Sequence, residues 1–289
     1  MVGHAKSVGR GVPSSLRTSL VEVLNPAPLL RGLWRHRDLT LLFIKREILR
    51  RNKGTSLGIA WSILVPLLLL AVYAFVFGVV FQTRWGRGED AFFVLPMFCG
   101  MTLFSIFAEC VTRAPELVLE NPSYVKRVVF PLEILPVSVL GAAVALSTVN
   151  VAILVAGVLL TRHTLPPTVV FFPLMLLPLV MLSLGLAWFF ASLGVFLRDV
   201  KNVVAIGVSP VLFFLSPVFY PIEQLPERYQ ALVRLNPLTT ILEGGRQTLI
   251  WGESPDWAAW AVVTLLGWIV MQLGWAWFMK TKRGFADVV

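Results

Sequence analysis

Six long apolar stretches constrain the fold of this sequence more than any other feature. They run at about Leu57 to Gln82, Ala91 to Arg113, Ile134 to Leu160, Val169 to Phe196, Val203 to Tyr220 and Trp257 to Met279. Each is near or above the roughly 20 residues with which an α-helix crosses the hydrocarbon core of a bilayer. Charged residues make up only 14% of the chain, against roughly 25% in soluble domains. The sequence therefore predicts an all-α integral membrane protein with six transmembrane helices.

Lysines and arginines are distributed unevenly between the two sides of these spans. Eighteen lie in the N-terminal region, the loops after the second and fourth spans, and the C-terminal tail. The opposite side holds six: Arg84, Arg87, Arg162, Arg228, Arg234 and Arg246. Because cytoplasmic loops carry the excess of positive charge, both termini are expected in the cytoplasm. The net charge of +9 then reflects orientation and attraction to anionic lipid rather than nucleic-acid binding.

The residues before the first span divide into two parts. Residues 1–28 are rich in Gly, Ser, Pro and basic residues without a hydrophobic core, which predicts a flexible cytoplasmic tail and not a signal peptide. Residues 29–55 mix apolar and basic positions in the pattern of an amphipathic helix that lies in the membrane interface. We expect Asp38 or Thr40 to cap this helix and Gly54 to end it. Residues 56–289 form the six-span domain.

Two polar segments interrupt the spans. On the cytoplasmic side, four prolines divide residues 115–136 and leave only a short amphipathic turn at about Ser123 to Val129, because proline lacks an amide donor and disfavours helix in the residue before it. On the outer side, residues 222–252 read as two amphipathic helices separated at Asn236 and Pro237, with later breaks at Gly244, Gly245 and Gly252. Neither is apolar enough to span, so we expect re-entrant half-helices between the fifth and sixth spans.

A few residues within the spans are unusual for a membrane helix. Glu109 and Arg113 are four residues apart, which favours an ion pair with either a structural or a gating role. Pro210 and Pro217 make the fifth span the most breakable. Aromatic residues recur on the first span and at the end of the fifth: Tyr73, Phe77, Phe81, Phe219 and Tyr220. They either pack against protein and lipid or form faces on which sugar rings stack.

The sequence shows no catalytic chemistry of its own. Lys53, Gly54, Thr55 and Ser56 carry the residue types of a phosphate-binding loop in the wrong order, and there is no zinc-protease motif or nucleophile elbow. Cys99 and Cys110 are expected to be apolar packing residues, and the three histidines, His4, His36 and His163, have no metal-binding spacing. We therefore expect no catalytic residue and no bound cofactor or metal, and any energy for transport must come from a gradient or a partner.

Several motifs together carry a resemblance to a known family. The stretches NPSYVKRVVFPLEILP, FLRDVKN, SPVFYPIEQLP and NPLTTILEGGRQTL accompany a basic helix that leads into TSLGIAWSILVPLLLL. From about Arg31 onward the chain resembles the permease subunit of type-2 ABC exporters for lipid-linked polysaccharides. That family exports O-antigen, teichoic acid and galactan precursors across the bacterial inner membrane.

The resemblance implies a role for each of these segments. The coupling helix that docks on an ATP-binding subunit falls on Asn121, Pro122, Ser123, Tyr124, Val125, Lys126 and Arg127. The N-terminal helix becomes the interface helix, whose Arg46, Arg50 and Arg51 attract the pyrophosphate of the lipid carrier. Tyr73, Phe77, Phe81, Phe219 and Tyr220 then line a channel between two copies of the chain, and the outer half-helices close it. The implied partners are a second copy, two ATP-binding subunits that hold ATP and Mg²⁺, and the glycan.

Other classes of function remain open at this stage. A membrane-embedded glycosyl or acyl transferase would need positioned carboxylates, and the candidates are scattered: Glu89, Asp90, Glu223, Glu227, Glu243 and Glu253. A gradient-driven transporter normally shows an internal repeat and ionisable residues near the membrane centre, and neither is evident. A type-2 exporter of a drug or a lipid shares the six-span plan.

Overall fold

The computed structural model describes residues 27–52, 60–80, 85, 93–125 and 130–288. Every regular element in these ranges is a helix. In chain order they are α1 (Ala27–Arg35), α2 (Arg37–Asn52), α3 (Trp61–Tyr73), α4 (Val94–Arg113), α5 (Pro122–Val125), α6 (Ile134–Arg162), α7 (Phe172–Phe196), α8 (Val200–Ile206), α9 (Glu227–Leu235), α10 (Pro237–Arg246), α11 (Trp257–Thr281) and α12 (Phe285–Val288). Shorter 3₁₀ and π-helical turns extend several of them.

Within the described ranges, five helical segments are long and apolar enough to cross a membrane: Trp61–Val80, Val94–Glu116, Ile134–Arg162, Pro167–Phe196 and Trp257–Val288. The predicted fifth span is a shorter apolar segment, Val200–Leu215. It passes through a π-helical turn at Gly207–Leu212, which contains Pro210, and becomes extended at Ser216. Ser216 precedes Pro217, and a proline disfavours helix in the residue before it, which explains why the segment ends there. The all-α membrane fold is thus confirmed, with five candidate spans among the described residues, and the six-span count stays a prediction.

The core of the protein lies where α4, α7 and α11 pack together. Trp188 of α7 is fully buried, and its indole N–H donates to the carbonyl oxygen of Glu133, 3.0 Å away. Gly185 of α7 faces Gly274 of α11 so closely that a β-carbon on Gly274 would overlap the Gly185 carbonyl. Small residues let membrane helices approach to backbone contact, so this crossing fixes α11 against α7.

The N-terminal helices α1 and α2 are separated only by a turn at His36. The predicted caps are wrong, because Asp38 lies in the first turn of α2 and Thr40 lies inside the helix, where its hydroxyl donates to the His36 carbonyl. Gly54 and residues 1–26 of the predicted tail lie outside the described residues. Phe43 of α2 is buried, whereas Leu41 and Leu42 are exposed, as expected for a helix that faces both protein and membrane.

The outer segment folds as two helices joined at Asn236. The Asn236 carboxamide accepts from the amide of Leu238 and caps α10, and its Nδ2 donates to the Ser216 hydroxyl, 2.9 Å away. The break at Asn236 and Pro237 agrees with the prediction, but Gly244 and Gly245 do not break the helix. Both lie in α10, which continues as a π-helical turn to Trp251. They pack against Met175 and Leu103, and the helix ends at Gly252, whose φ is +74°.

Candidate functional site

The predicted coupling segment forms one helical turn that follows the C-terminal end of α4. Nδ2 of Asn121 donates to the Leu117 carbonyl, 2.8 Å away, which holds the start of this turn against the preceding chain. In α5 the side chains of Pro122 and Ser123 are exposed, whereas Val125 is buried. Lys126 and Arg127 lie outside the described residues. The turn therefore presents a small exposed surface on a fixed base.

Tyr124 connects α5 to the interface helix α2. Its ring stacks on Phe130 at a centroid distance of 4.6 Å and meets the edge of Phe43 at 5.4 Å. The Arg46 guanidinium donates to the Tyr124 hydroxyl, 2.9 Å away, and lies 5.7 Å from the centroid of its ring. Because an aromatic stack and a hydrogen bond to a charged donor act on the same side chain, α2 and α5 are expected to move together.

A network of opposite charges extends this connection to the end of α4. Arg113 of α4 pairs with Glu47 of α2, and it lies 3.7 Å from Glu120. Arg50 of α2 reaches the same Glu120 at 3.3 Å and Glu47 at 3.4 Å. These side chains line a cavity of about 300 Å³ between α2, α4 and α6. Two carboxylates and two guanidiniums thus join α2, the C-terminal end of α4 and the turn before α5.

The predicted pair between Glu109 and Arg113 is replaced by two pairs with α2. Glu109 pairs with Arg51, and Arg113 pairs with Glu47. The physical reason is that α2 packs on α6 and brings both a guanidinium and a carboxylate to the C-terminal end of α4. Residue spacing relates only side chains on the same helix, so it could not predict pairs with α2. Both acceptor carboxylates are mostly buried, with exposed side-chain fractions of 26% for Glu109 and 13% for Glu47.

Each of the three arginines predicted to attract pyrophosphate has a protein partner. Arg46 bonds to Tyr124, Arg50 to Glu120 and Arg51 to Glu109. Burial lowers the pKa of the Arg51 guanidinium, and the nearby Glu47 carboxylate opposes that effect. A guanidinium stays protonated in proteins in any case. Attraction of a lipid pyrophosphate to these residues stays a prediction, and such a ligand would compete with the carboxylates.

The predicted aromatic path is partly assembled in the structure. Phe219 lies 6.5 Å from Tyr73 and 6.0 Å from Phe77, measured between ring centroids. These three half-buried rings pack against Phe93 and Trp85, which are buried. The hydroxyl of Tyr220 donates to the carbonyl oxygen of Phe214, 2.9 Å away. Phe81 lies outside the described residues. The first span and the end of the fifth segment therefore meet through aromatic side chains, whose role as a channel wall stays a prediction.

Arg246 is a buried site that the sequence argument missed. It was counted among the charges of the outer side, yet its side chain has no exposed surface. Nε donates to the carbonyl of Pro96 at 2.9 Å, and Nη2 donates to the carbonyls of Pro217 at 2.6 Å and Val218 at 3.1 Å. Nη1 donates to Glu243 at 2.6 Å, and the guanidinium lies 4.5 Å from the centroid of the Trp85 ring.

A buried charge requires this degree of pairing, so Arg246 is a structural anchor. It joins α10 to the start of α4 and to the end of the fifth segment. The sequence signal that could have revealed it is a glutamate three residues earlier, at a spacing that lets both side chains meet on one helix face.

The carboxylates needed for a transferase are not organised for catalysis in the part of the chain that the structure describes. Glu243 is paired with Arg246, and Glu223 and Glu227 are exposed. No group of three His, Cys, Asp or Glu side chains among the described residues could hold a metal ion. Glu89 and Asp90 lie outside those residues. These observations give no support to the transferase hypothesis.

The fold is that of a multi-pass α-helical membrane protein in which the segment between α4 and α6 is bonded to α2. Residues 38–250 match the family model described as ABC-2 type transporter. This match covers most of the chain, and the chain therefore belongs to the ABC-2 type transporter family. The resemblance inferred from the motifs is confirmed at this level.

Curated relatives extend the comparison over nearly the whole chain. An O-antigen export system permease protein RfbA of Klebsiella pneumoniae is 25% identical over 254 residues, which cover 87% of this chain and 95% of that protein. The protein of the same name in Myxococcus xanthus is 26% identical over 269 residues, covering 90% and 99%. The polysialic acid transport protein KpsM of Escherichia coli is 24% identical over 216 residues, covering 72% and 79%.

Proposed function

We propose that this chain is the transmembrane subunit of an ATP-driven exporter for a lipid-linked polysaccharide of the O-antigen, galactan or teichoic-acid type. It would move the glycan from the cytoplasmic to the outer side of the bacterial inner membrane, with both of its termini in the cytoplasm. The observation that carries the proposal is similarity along at least 87% of the chain to two permeases named for O-antigen export. ATP and Mg²⁺ would be bound by a separate ATP-binding subunit.

The contacts around α5 support a coupling role in such a machine. The exposed Pro122 and Ser123 offer a surface on which an ATP-binding subunit docks. Tyr124 would pass a displacement of that surface to α2 through Arg46, and Glu120 would pass it through Arg50. Because the same network reaches Arg113 at the end of α4, a push on α5 would act on both the interface helix and a membrane span.

The exposure of the first span supports a homodimer. No residue of this span, from Trp61 to Val80, is buried within the chain. Tyr73 and Phe77 belong to this span, and their half-buried rings lie against the ring of Phe219. A second copy related by a two-fold axis, the commonest closed symmetry, would cover α3 and the fifth segment and enclose an aromatic path. Two copies would also supply one coupling surface for each of two ATP-binding subunits.

The interface helix would receive the lipid carrier in this arrangement. Arg46, Arg50 and Arg51 lie on α2. Arg46 bonds to the Tyr124 hydroxyl and not to a carboxylate, and Arg50 shares Glu47 and Glu120 with Arg113, so the charges of Arg46 and Arg50 are at most partly neutralised. A pyrophosphate carries several acceptor oxygens and can bind guanidiniums in bidentate geometry. The pyrophosphate would then replace the glutamate partners of these arginines as the lipid carrier enters.

Deletion and restoration of the chain in its native bacterium test the function. We expect loss of surface glycan and accumulation of the lipid-linked precursor on the cytoplasmic side without the chain, and recovery of both when it is restored with its ATP-binding subunit. The matched control restores the chain with a variant of the ATP-binding subunit that binds ATP but cannot hydrolyse it, and this combination should not restore export. Unchanged surface glycan in the deletion strain, with loss of resistance to a drug, would instead indicate a drug exporter.

The orientation is tested separately by labelling single cysteines in intact cells. Cysteines in place of Gly86 and Ser254 should react with an impermeant reagent from outside, because they flank spans on the side that is poor in basic residues. A cysteine in place of Ser123 should react only after the cells are opened. Labelling at position 123 from outside would overturn the assignment of both termini to the cytoplasm.

A further inference from the structure

A second cavity lies on the outer side of the protein, away from the aromatic rings of the predicted path. It has a volume of about 390 Å³ and is enclosed by α10, the start of α11 and Met175 of α7. This volume lies within the range of roughly 300 to 1,000 Å³ that is typical of small-molecule sites. Its polar lining consists of Arg234, Thr239, Thr240, Glu243, Gln247 and Asp256, and its aromatic wall is Trp260. We call this cavity the outer pocket.

Existing contacts hold the lining residues in place. The Trp260 indole donates to the carbonyl oxygen of Leu174 at 3.2 Å, which fixes its half-buried ring. Glu243 is held by Arg246 at 2.6 Å. Asp256 Oδ1 accepts from the amides of Ala258 and Ala259, both at 3.0 Å. A site whose groups are held before binding loses less conformational entropy when a ligand arrives.

The chemistry of this lining fits a sugar residue better than a lipid phosphate. Sugar hydroxyls both donate and accept, and the carboxylates, amide and hydroxyls of the pocket match them. The apolar C–H face of a sugar ring packs on an aromatic face such as that of Trp260. Two carboxylates would repel a phosphate, and Arg234, the one arginine in the lining, is exposed. The polar lining also disfavours an acyl chain.

We propose that the outer pocket binds one sugar residue of the glycan as it leaves the transporter, an inference that rests on the proposed function. Binding must be weak, because a transport path requires a site that a substrate can both enter and leave. A sugar residue bound in the outer pocket would keep the emerging glycan from moving back while the ATP-binding subunits return to their starting state. The pocket is separate from the aromatic path and so would act after passage through it.

Binding can be measured directly with soluble sugars. The probes are neutral hexoses and N-acetylhexosamines at millimolar concentration, added to the full chain in lipid nanodiscs and observed by saturation-transfer difference NMR. Glycerol 3-phosphate serves as the probe for a lipid headgroup. We expect at least one sugar to bind saturably and glycerol 3-phosphate to bind more weakly. The proposal is wrong if no sugar binds, or if glycerol 3-phosphate binds more tightly than every sugar.

Matched variants locate the binding within the outer pocket. Trp260→Leu should weaken sugar binding about three- to tenfold because it removes the aromatic face. Thr240→Val, which is nearly isosteric, should weaken it by removing a hydroxyl. Trp277→Leu and Thr264→Val are the controls, since both residues lie on α11, neither lines the pocket, and the Trp277 ring contacts Phe189. Equal losses in the Trp277 and Trp260 variants would overturn the assignment.

An export measurement separates this inference from the proposed function. If the wild-type chain restores surface glycan but binds no sugar, the sugar-binding role of the outer pocket is wrong and the proposed export function is retained. If sugar binds as expected but the chain restores no surface glycan, the proposed export function is wrong. The outer pocket is then a sugar-binding site that serves another process. With both correct, Thr240→Val should lower export while the amount of inserted protein stays unchanged.

Discussion

Arg246 donates a hydrogen bond from Nη2 to the carbonyl oxygen of Pro217 across 2.6 Å, and this contact joins the outer helix α10 to the end of the short fifth segment. The same guanidinium reaches Pro96 at the start of α4. Because Pro217 follows the extended residue Ser216, its carbonyl has no helical partner to satisfy it. The arginine therefore stabilises the point where the fifth segment stops being a helix, and any opening of the outer side must either carry Arg246 along or break these bonds.

Replacement of Arg246 is expected to cause a large loss of stability. Arg246→Met removes the cation and leaves Glu243 and three carbonyl oxygens without their donor, which costs about 3–5 kcal/mol for a broken buried pair. Thermal unfolding of the detergent-solubilised protein measures this loss. Arg234→Met, at an exposed arginine of the same outer segment, is the control and should change stability little. Similar shifts for the two variants would contradict the role of Arg246 as an anchor.

The pair between Arg51 and Glu109 is testable by exchanging the charges. Arg51→Glu and Glu109→Arg should each lower export and thermal stability, because each places like charges together at a mostly buried site. The double variant should recover a large part of both losses. Arg37 and Asp38, an exposed pair 3.8 Å apart, provide the matched control, and their exchange should have little effect. Absence of recovery in the double variant would argue against direct pairing.

Tyr124 is expected to be important for coupling and not for insertion. Tyr124→Ala removes the stack on Phe130 and the acceptor for Arg46, and transport-linked ATPase activity should fall while the dimer still forms. Tyr124→Phe keeps the stack and removes only the hydroxyl, so its loss should be smaller. Charge reversal at Lys126 and Arg127 is expected to act similarly through the docking surface.

ATPase measurements in proteoliposomes, together with size-exclusion chromatography of the complex, test the role of Tyr124. Full export and full stimulated activity in both Tyr124→Ala and the charge-reversal variant would show that this turn does not couple the subunits. A dimer that fails to assemble in Tyr124→Phe would show that the residue has a structural role instead.

Sequence reasoning predicted the features that depend on local pattern. The apolar spans are visible because their length must match the bilayer, and the break at Asn236 is visible because proline and an N-cap residue coincide there. The weakness of the fifth segment was also predictable from Pro210. Each of these depends on residues close together in the chain, and each is found in the structure.

The sequence argument failed where partners are distant in the chain. Glu109 pairs with Arg51 and not with Arg113. This is a tertiary contact between α2 and α4, which residue spacing within one helix cannot predict. Arg246 was interpreted as an outer charge because nothing near it predicts the carbonyls of Pro96 and Pro217. Gly244 and Gly245 were interpreted as breaks, yet they stay helical because close packing against Met175 and Leu103 favours small residues over local propensity.

The aromatic path gives the last prediction. If a glycan passes beside α3 and the end of the fifth segment, Tyr73 and Tyr220 contribute ring faces and hydroxyls to a wall that must stay wetted. Tyr73 lies 6.5 Å from Phe219, so its ring is already part of the aromatic cluster. Replacing both tyrosines by leucine keeps the hydrophobicity that insertion needs. Export, measured as surface glycan, should fall several-fold while the amount of inserted protein stays normal.

Two further variants separate the contribution of the rings from that of the hydroxyls. Tyr73→Phe with Tyr220→Phe keeps both rings, so export should fall less than in the leucine variant if stacking on ring faces guides the sugar. Tyr229→Leu, an exposed tyrosine on α9, is the control and should export normally. Parental export in the leucine double variant would remove the aromatic path from the mechanism, because the rings would then serve only to pack α3 against Phe219, and the membership in the transporter family would be unaffected.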